Sequence, residues 1–362
     1  MHNQKFRILV IGDKSRFIHL EKFLLELEKK DVETKLIYDL EYTDKFFELN
    51  LIKRNRKKNS FNILLQNFKP DIILVDRISK IIEKIIEKKI PFWILLRGNY
   101  WEELSWAKKT IYKSRKQKIS SSRNEKLVDY CFKHSDLILP ISKYLEKEVE
   151  TRYPNTNICL FPADGRNPDE WNTIDGKQLK HPCVGLIQGL NIWGKTKELL
   201  VLNEVLKKLP DITFYLAGDG TYREKIIPEL NENKNFVWLK NLEYPHEIKK
   251  LFSEIDIFLL LSGLEGLGQI VIESFLMKKP TIATNTGGIP ELIQDNHTGL
   301  LVDTGNSEMI VDKIRKLLDD PDFAQKLASN GNKFAKKEFS WEIIAQRFIQ
   351  IINNQKKFGS GK

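Results

Sequence analysis

The chain has 362 residues, of which 41% are hydrophobic and 30% charged, and its formal net charge is +10. This length exceeds one ordinary core and predicts two globular domains. No stretch approaches the about 20 apolar residues of a transmembrane helix, and the polar first residues do not resemble a signal peptide. Residues 1–175 hold an excess of eight basic residues and the remainder an excess of two, so we expect an anionic partner to contact mainly the first half.

Short apolar runs alternate with charged, helix-like segments in the first half of the chain. The runs are apolar on both faces, as buried parallel strands are, and the alternation predicts a doubly wound βαβ sheet. The predicted strands are Phe6–Ile11, Thr34–Tyr38, Asp71–Val75, Phe92–Leu96, Asp136–Pro140 and Ile158–Phe161. Residues 161–180 are polar and contain Pro and Gly, which favours a linker.

The same alternation restarts after this linker. Its predicted strands are Cys183–Gln188, Ile212–Ala217, Phe236–Lys240, Ile255–Leu261, Thr281–Thr284 and Leu300–Asp303. Its predicted helices include Lys197–Leu209, Pro245–Glu254, Gly268–Lys278 and Ser307–Asp319. The sequence therefore predicts an α/β protein with two tandem Rossmann-like domains that face each other across a cleft, at residues 1–175 and 176–340. Residues 341–357 have the spacing of a helix with one apolar face.

The segment Leu264–Met277 combines a glycine-containing loop with the start of a helix. It follows an apolar strand, and free backbone N–H groups at such a helix N-terminus form an anion site. Glu265 and Glu273, eight residues apart, flank this site, where they could accept hydrogen bonds from sugar hydroxyls. The alternative is a surface helix with scattered acids after a glycine turn.

This segment resembles the Glu-x₇-Glu signature of retaining nucleotide-sugar glycosyltransferases with two Rossmann-like domains. That family has the GT-B fold, is of the glycosyl transferases group 1 type, and includes sucrose-phosphate synthases and many mannosyl- and glucosyltransferases. The resemblance covers essentially the whole second domain and continues in three runs: Lys279–Thr284, Gly287–Glu291 and His297–Val302. It implies a retaining transferase that moves a hexose-type sugar, and a C-terminal helix that packs on the first domain.

The resemblance also implies roles for individual residues. Glu273 would bind the donor ribose hydroxyls, and Glu265 would hold the transferred sugar. The amides of Gly266, Leu267 and Gly268 would contact sugar and diphosphate. Gly189 would belong to the donor site, and Leu239–Leu242, including Leu242, would border the base. Lys195 would neutralise the leaving diphosphate. The alternative for Lys195 is a solvated lysine at a helix start, and the turn at Gly218 is expected to be structural.

The chain departs from the family pattern at several positions. Leu190 stands where the family usually has an arginine, and Thr196 replaces the glycine after the lysine. The first glycine-rich loop is reduced to Gly12 in the run 12–15, and Arg97-Gly98-Asn99 replaces the usual histidine. Gly12 and Arg97 are candidates for the acceptor side. Arg97 could supply the missing cation, or it could form a buried structural ion pair.

We expect no metal and no other cofactor besides the UDP-, GDP- or ADP-sugar donor. No Asp-x-Asp follows a predicted strand, and the six histidines form no recognisable ligand cluster. Cationic and backbone groups can replace a metal at a diphosphate. Three distant cysteines, Cys131, Cys159 and Cys183, match no zinc or redox spacing, so we expect reduced thiols in a cytoplasmic protein.

The segment Trp101–Lys126 is basic and contains aromatic residues. It includes Lys113, Arg115, Lys116 and Lys118, with Trp101, Trp106 and Tyr112 nearby. One interpretation is a solvated helix followed by a mobile loop at 120–122. Another is a peripheral surface that rests on the anionic inner face of a membrane and reaches a lipid-linked acceptor. Nucleic acid is disfavoured, because no recognisable nucleic-acid module accompanies the charge.

Three functional hypotheses stay open from the sequence. The favoured one is a metal-independent glycosyltransferase that acts on a lipid-linked or saccharide acceptor. A catalytically degenerate sugar-nucleotide-binding relative is the second, motivated by Leu190 and the absent histidine. A UDP-sugar epimerase of the same architecture is the third, and the pair of Glu265 and Glu273 disfavours it.

Overall fold

A computed structural model describes residues 5–13, 17–43, 51–76, 78–176 and 178–359. The chain divides into two compact units. The first comprises Met1–Arg97, Ile119–Gly165 and Trp341–Lys362, and the second Gly98–Lys118 and Arg166–Ser340. The change of unit therefore lies at Gly165, ten residues before the expected boundary at 175. Residues 98–118, which we expected in the first domain, belong to the second unit.

The first unit is built on a parallel sheet. Its strands are β1 (Phe6–Gly12), β2 (Val32–Tyr38), β3 (Ile72–Asp76), β4 (Phe92–Leu96) and β5 (Leu137–Pro140), in the order β2-β1-β3-β4-β5. The helices up to residue 152 are α1 (Phe17–Glu28), α2 (Asp39–Tyr42), α3 (Leu51–Phe68), α4 (Ile81–Glu87), α5 (Tyr100–Thr110), α6 (Arg115–His134) and α7 (Lys143–Arg152). Of these, α5 belongs to the second unit, and the division between units falls inside α6.

The second unit is built on another parallel sheet. Its strands are β6 (Cys183–Ile187), β7 (Thr213–Ala217), β8 (Phe236–Lys240), β9 (Ile257–Leu260), β10 (Thr281–Thr284) and β11 (Leu300–Val302), in the order β11-β10-β9-β6-β7-β8. Its α-helices are α8 (Trp193–Thr196), α9 (Leu202–Lys208), α10 (Arg223–Leu230), α11 (His246–Glu254), α12 (Gln269–Leu276), α13 (Ile289–Leu292), α14 (Ser307–Asp319) and α15 (Pro321–Glu338). Short 3₁₀ helices cover Pro168–Glu170 and Lys197–Val201, and the last helix, α16 (Trp341–Gly359), belongs to the first unit.

The prediction of buried parallel strands is confirmed. Every residue of β3, β4, β5, β7, β9 and β10 is buried. Helices on both faces of a parallel sheet exclude water from it, which is why its strands are continuous apolar runs rather than alternating ones. No helix in the described part of the chain has the length and apolarity needed to cross a membrane.

One predicted strand is wrong. The run 158–161 lies beside β5, but only Ile158 forms a bridge, to Ile138. Cys159 N donates to Ile138 O and Phe161 N donates to Pro140 O. A continuous parallel ladder would also need Pro140 of β5 to donate a hydrogen bond back to the run 158–161. Proline has no N–H to donate, so the ladder stops there.

Each sheet contains a point where the strand order reverses. In the first sheet it lies between β1 and β3, and in the second between β6 and β9. The connections that leave these neighbouring strands run in opposite directions, so a crevice opens between them at the carboxyl ends of the strands. Ligands of open α/β sheets bind in such crevices.

The helix α16 is part of the core of the first unit. The fully buried Phe348 ring lies 5.3 Å from the ring of Phe23, 5.2 Å from Phe161 and 5.8 Å from Trp93, measured between centroids. Aromatic pairs at these separations contribute beyond their buried area. The last helix of the chain is therefore needed to complete the first core.

We expect Phe348→Ala to destabilise the first unit by about 3–5 kcal/mol, because the substitution leaves a cavity among three aromatic rings. Gln350→Ala, at an exposed position on the same helix, is the control and should change little. Urea unfolding followed by circular dichroism measures both. Equal stability of the two variants would contradict a core role for α16.

Candidate functional site

Lys195 and Glu265 meet at the reversal point of the second sheet. Lys195 lies on α8, in the connection after β6, and Glu265 lies in the loop after β9. Lys195 Nζ is 3.0 Å from Glu265 Oε2, and both side chains are largely but not fully buried. Ser262 Oγ donates to the other carboxylate oxygen at 3.1 Å. The sequence predicted both residues for the site, and the structure brings them into direct contact.

The loop from Gly266 to Gly268 leads into α12. Gly268 is the N-cap of this helix and has φ +88°, a left-handed conformation that favours glycine. The backbone N–H groups of Gly266, Leu267 and Gly268 donate no hydrogen bond to any described residue. Such unpaired donors at a helix N-terminus attract an anion. The loop therefore has the geometry of a phosphate site.

A second glycine turn packs directly against this loop. A Cβ at Gly287 would lie 1.9 Å from Glu265 O, and one at Gly288 would lie 2.3 Å from Gly266 O. Gly288 N donates to Glu265 O at 3.1 Å. Only residues without a side chain allow this approach, so the run that begins at Gly287 fixes the position of the Glu265 loop.

Glu273 lies on α12 and is buried. Its Oε1 accepts hydrogen bonds from Arg166 Nε at 2.8 Å and Nη2 at 2.6 Å, and from the Tyr244 hydroxyl at 3.0 Å. Arg166 itself is buried. The segment 161–180, predicted to be a linker, thus contributes a buried cation, and its description as a plain linker is wrong.

The connection after β6 is joined to the turn after β7. Leu190 N donates to Asp219 O, and a Cβ at Gly218 would lie 1.9 Å from Gln188 O. Gly218 has φ +140°, so the close approach and the backbone conformation both require glycine. Gly189 is exposed, with open space where its Cβ would lie, while the Leu190 side chain is fully buried in the core. Leu190 therefore supplies nothing polar to the site.

Helix α5 packs on the turn that carries Lys195. A Cβ at Gly194 would lie 2.7 Å from Trp106 Cδ1, and Lys197 Nζ lies 4.5 Å from the centroid of the Trp106 ring. Thr110 Oγ1 and the Tyr222 hydroxyl form a further hydrogen bond. Trp106 is half-buried in these contacts, which occupy part of the ring that we expected to be available as a membrane anchor.

Comparison with known proteins finds a family match within the second unit. Residues 194–334 match the family described as glycosyl transferases group 1. The matched segment runs from α8 to α15. An uncharacterized glycosyltransferase of Methanocaldococcus jannaschii is 29% identical over 225 residues, which are 59% of this chain and 58% of that protein. The chain spans little more than half the length of the curated relatives it matches.

Solved structures show that the fold extends over both units. Sucrose-phosphate synthase from Thermosynechococcus elongatus matches with a TM-score of 0.76 at 16% identity, covering 99% of this chain and 100% of that one. Anabaena HepE in complex with UDP-glucose matches with a TM-score of 0.69 at 16% identity, covering 96% and 99%. The predicted fold class, two Rossmann-like domains of the GT-B type, is confirmed.

The two candidate residues of the first unit, Gly12 and Arg97, lie outside the matched segment 194–334. Arg97 follows β4 and is buried, with Nε 2.7 Å from Asp76 Oδ1 and Nη1 in contact with Asp164. Burial opposes its charge, but Asp164 and Asp76 outweigh this effect and raise the pKa of Arg97. Of the two alternatives for Arg97, the structure favours the buried ion pair. Gly12 ends β1 at the reversal point of the first sheet, and Lys14 and Ser15 of its loop lie outside the described residues.

The basic side chains of the segment are exposed, but the segment is not a helix followed by a loop. Lys113, Arg115, Lys116 and Lys118 are all exposed. Residues 120–122, predicted to be a mobile loop, are helical inside α6, and Ser121 is buried. Helix propensity and the buried apolar side chains of α6 override the three serines here.

Burial raises the pKa of the Cys131 and Cys183 thiols to about 12 and also raises that of Cys159. All three cysteines are free, which agrees with the predicted reduced thiols.

Our expectation that no histidine joins a ligand cluster needs correction, since the possible ligand atoms of His181, Cys183 and Asp256 lie within 4.8 Å of one another. Asp256 Oδ2 accepts from Cys183 N at 2.7 Å and contacts His181 Nδ1 at 2.8 Å, so hydrogen bonds account for this arrangement.

Sequence reasoning missed three residues that contact the site. Arg166 and Tyr244 hold Glu273, and Trp106 packs against Gly194. The only sequence signal for Arg166 was its position in the run Gly165–Pro168, within a polar stretch. That stretch has no periodic pattern. All three contacts join distant parts of the chain, so spacing along the sequence could not indicate them.

We expect Gly218→Ala to destabilise the second unit by about 1–3 kcal/mol, because the new Cβ strains the backbone and meets Gln188 O. Gly189→Ala is the matched control, since open space surrounds that position. Thermal unfolding of the two variants measures the difference. A Gly218→Ala variant as stable as Gly189→Ala would show that the two turns do not depend on this contact.

Proposed function

We propose that this chain transfers a hexose-type sugar from a nucleotide diphosphate donor to an acceptor hydroxyl, with retention of configuration. The observation that carries the proposal is the contact of Lys195 with Glu265 beside three unpaired N–H groups, at the reversal point of the second sheet. The cation and the N–H groups suit a diphosphate, and the carboxylate suits the hydroxyls of the sugar joined to it. The group 1 domain and the UDP-glucose complex of HepE support this choice of donor.

In this proposal the diphosphate binds the amides of Gly266, Leu267 and Gly268 and the ammonium of Lys195. The bond from the anomeric carbon to the diphosphate oxygen breaks, and its electron pair passes to that oxygen. The acceptor oxygen forms the new bond to the same carbon on the face from which the diphosphate departs, and its proton passes to the departing diphosphate oxygen. Negative charge grows on the diphosphate during this step, so the attraction of Lys195 is strongest in the transition state.

Glu265 and Glu273 would bind the two sugars of the donor. When the diphosphate takes the Lys195 ammonium, Glu265 is left to accept hydrogen bonds from the transferred sugar. Glu273 would accept from the ribose, and the half-exposed Leu242, after β8, would border the base. Metal independence stays a prediction. Measuring sugar transfer with and without a chelator tests it.

Lys195→Ala should lower kcat more than it raises the donor KM, because the lysine acts mainly on charge that develops in the transition state. Lys225→Ala, at a lysine near the Trp193 and Tyr222 rings, serves as control. Binding of UDP, GDP and ADP by thermal shift first selects the donor for steady-state kinetics. A change in KM alone would make Lys195 a ground-state anchor and contradict this mechanism.

The acceptor is proposed to be lipid-linked and reached from an anionic membrane surface. Arg115, Lys116 and Lys118 lie at the start of α6, where positive charge opposes the helix dipole, so helix stability does not explain them. With Lys113 they form an exposed cluster next to the exposed Ile119. Each basic residue near an anionic surface contributes about 1 kcal/mol.

Changing Lys113, Arg115, Lys116 and Lys118 to Glu should abolish sedimentation with phosphatidylserine vesicles at low salt. Acidic residues suit a helix N-terminus, so the fold should persist. The matched control reverses four exposed lysines of the second unit: Lys207, Lys234, Lys326 and Lys333. Equal loss of binding in both variants would mean that net charge alone is responsible. An unmodified chain that ignores these vesicles would point to an acceptor free in solution.

A further inference from the structure

The carboxylate of Glu273 is held by two side chains from outside its own helix. Arg166 and Tyr244 come from the segment before β6 and from the turn after β8. Both direct their hydrogen bonds to the same oxygen, Oε1, at distances of 2.6 to 3.0 Å. Three donors therefore converge on one carboxylate oxygen, while Oε2 accepts no hydrogen bond from any described residue.

This asymmetry has an electrostatic consequence. A buried carboxylate is costly unless a positive charge and hydrogen bonds compensate it, and the buried Arg166 supplies both. An oxygen that already accepts three hydrogen bonds has no further capacity. The lone pairs of Oε2 are therefore the part of Glu273 that a ligand hydroxyl can use.

The two donors are themselves fixed. Arg166 N donates to Phe339 O at 2.7 Å, which anchors the start of the segment on the second unit. The Tyr244 ring lies 6.1 Å from the buried ring of Trp171, between centroids. Lys249 Nζ donates to Glu170 O at 3.0 Å. The run from Arg166 to Trp171 is thus held against the rest of the second unit. Its contacts keep Arg166 and Tyr244 in place, and these two residues fix the orientation of the Glu273 carboxylate.

We propose that Arg166 and Tyr244 are positioning residues that make the donor site select ribonucleotides over deoxyribonucleotides. By occupying Oε1 they leave Oε2 as the acceptor for the ribose hydroxyls. Ribose offers two neighbouring hydroxyl donors, and one oxygen with two lone pairs can accept both. This inference rests on the proposed function, in which Glu273 contacts the ribose.

The support from Tyr244 persists across the working pH range. Burial raises the pKa of its hydroxyl, and the negative charge of Glu273 raises it further. A phenol with a raised pKa stays protonated at neutral and mildly alkaline pH, so it continues to donate. The preference for ribonucleotides should consequently stay constant between about pH 6 and pH 9.

The test compares the affinities of the full chain for UDP, GDP and ADP with those for their 2′-deoxy counterparts, by calorimetry. A hydrogen bond to a charged group corresponds to about a tenfold to hundredfold preference for the ribonucleotide. Glu273→Ala should abolish this preference and so define the lower limit. Arg166→Met and Tyr244→Phe should reduce it several-fold, whereas Arg166→Lys, which keeps the charge, should retain part of it.

The matched control is Arg315→Met, which removes an arginine that pairs with Asp211 at the surface. It should leave the ribonucleotide preference unchanged. A loss of overall affinity with an unchanged ratio in both Arg166→Met and Tyr244→Phe would show a merely structural role and overturn the inference. If Arg166→Met does not fold, the ratio in Tyr244→Phe decides, since this variant loses a single hydroxyl.

The unmodified chain separates this inference from the proposed function. If it binds none of the three nucleotides, the proposed function fails. If it binds one of them but does not distinguish the 2′-deoxy form, the donor site stands and the inference about Arg166 and Tyr244 is overturned.

Discussion

The candidate site depends on one constraint of the second sheet, the reversal of strand order between β6 and β9. Both strands are buried and parallel, so both following loops leave the same edge and diverge from each other. Lys195 comes from one of these loops and Glu265 from the other. They are 70 residues apart in the chain, yet their side chains are 3.0 Å apart because the topology makes their strands neighbours.

Close glycine contacts then determine how the loops of the site pack against neighbouring turns. Gly287 and Gly288 bring one backbone turn against the Glu265 loop, and Gly218 brings another against the end of β6. Because these contacts are between backbones, no side-chain rearrangement can relax them. Under the proposed function, these contacts hold the loop N–H groups in position before the donor binds, and preorganised donors stabilise developing charge without a cost of reorganisation.

The elements were predictable from the sequence to the extent that local pattern determines them. Phe92–Leu96, Phe236–Lys240 and Thr281–Thr284 are strands with the predicted bounds. The first is buried and apolar throughout, whereas Phe236–Lys240 lies at the sheet edge and is partly exposed. Glu265 and Lys195 were found through a resemblance that rests on loop spacing. What the sequence did not indicate were long-range contacts, such as Arg166 with Glu273, 107 residues apart, and the membership of α5 in the second unit. Neither feature depends on periodicity. In a segment with little regular structure, such as 161–180, a charged residue that will be buried cannot be distinguished from its polar neighbours.

The charges of the site are balanced in pairs before any ligand binds. Lys195 faces Glu265 and Arg166 faces Glu273, but the two pairs differ in exposure. The Arg166 pair is buried, and breaking such a pair leaves an uncompensated charge, so it stays intact. The Lys195 pair is partly open to solvent, which lowers the cost of exchanging its partner. Under the proposed function, a diphosphate can therefore take Lys195 from Glu265 without disturbing Glu273. One binding event then supplies a cation to the leaving group and frees a carboxylate for the sugar, and Leu190, buried in the core, is not needed for either.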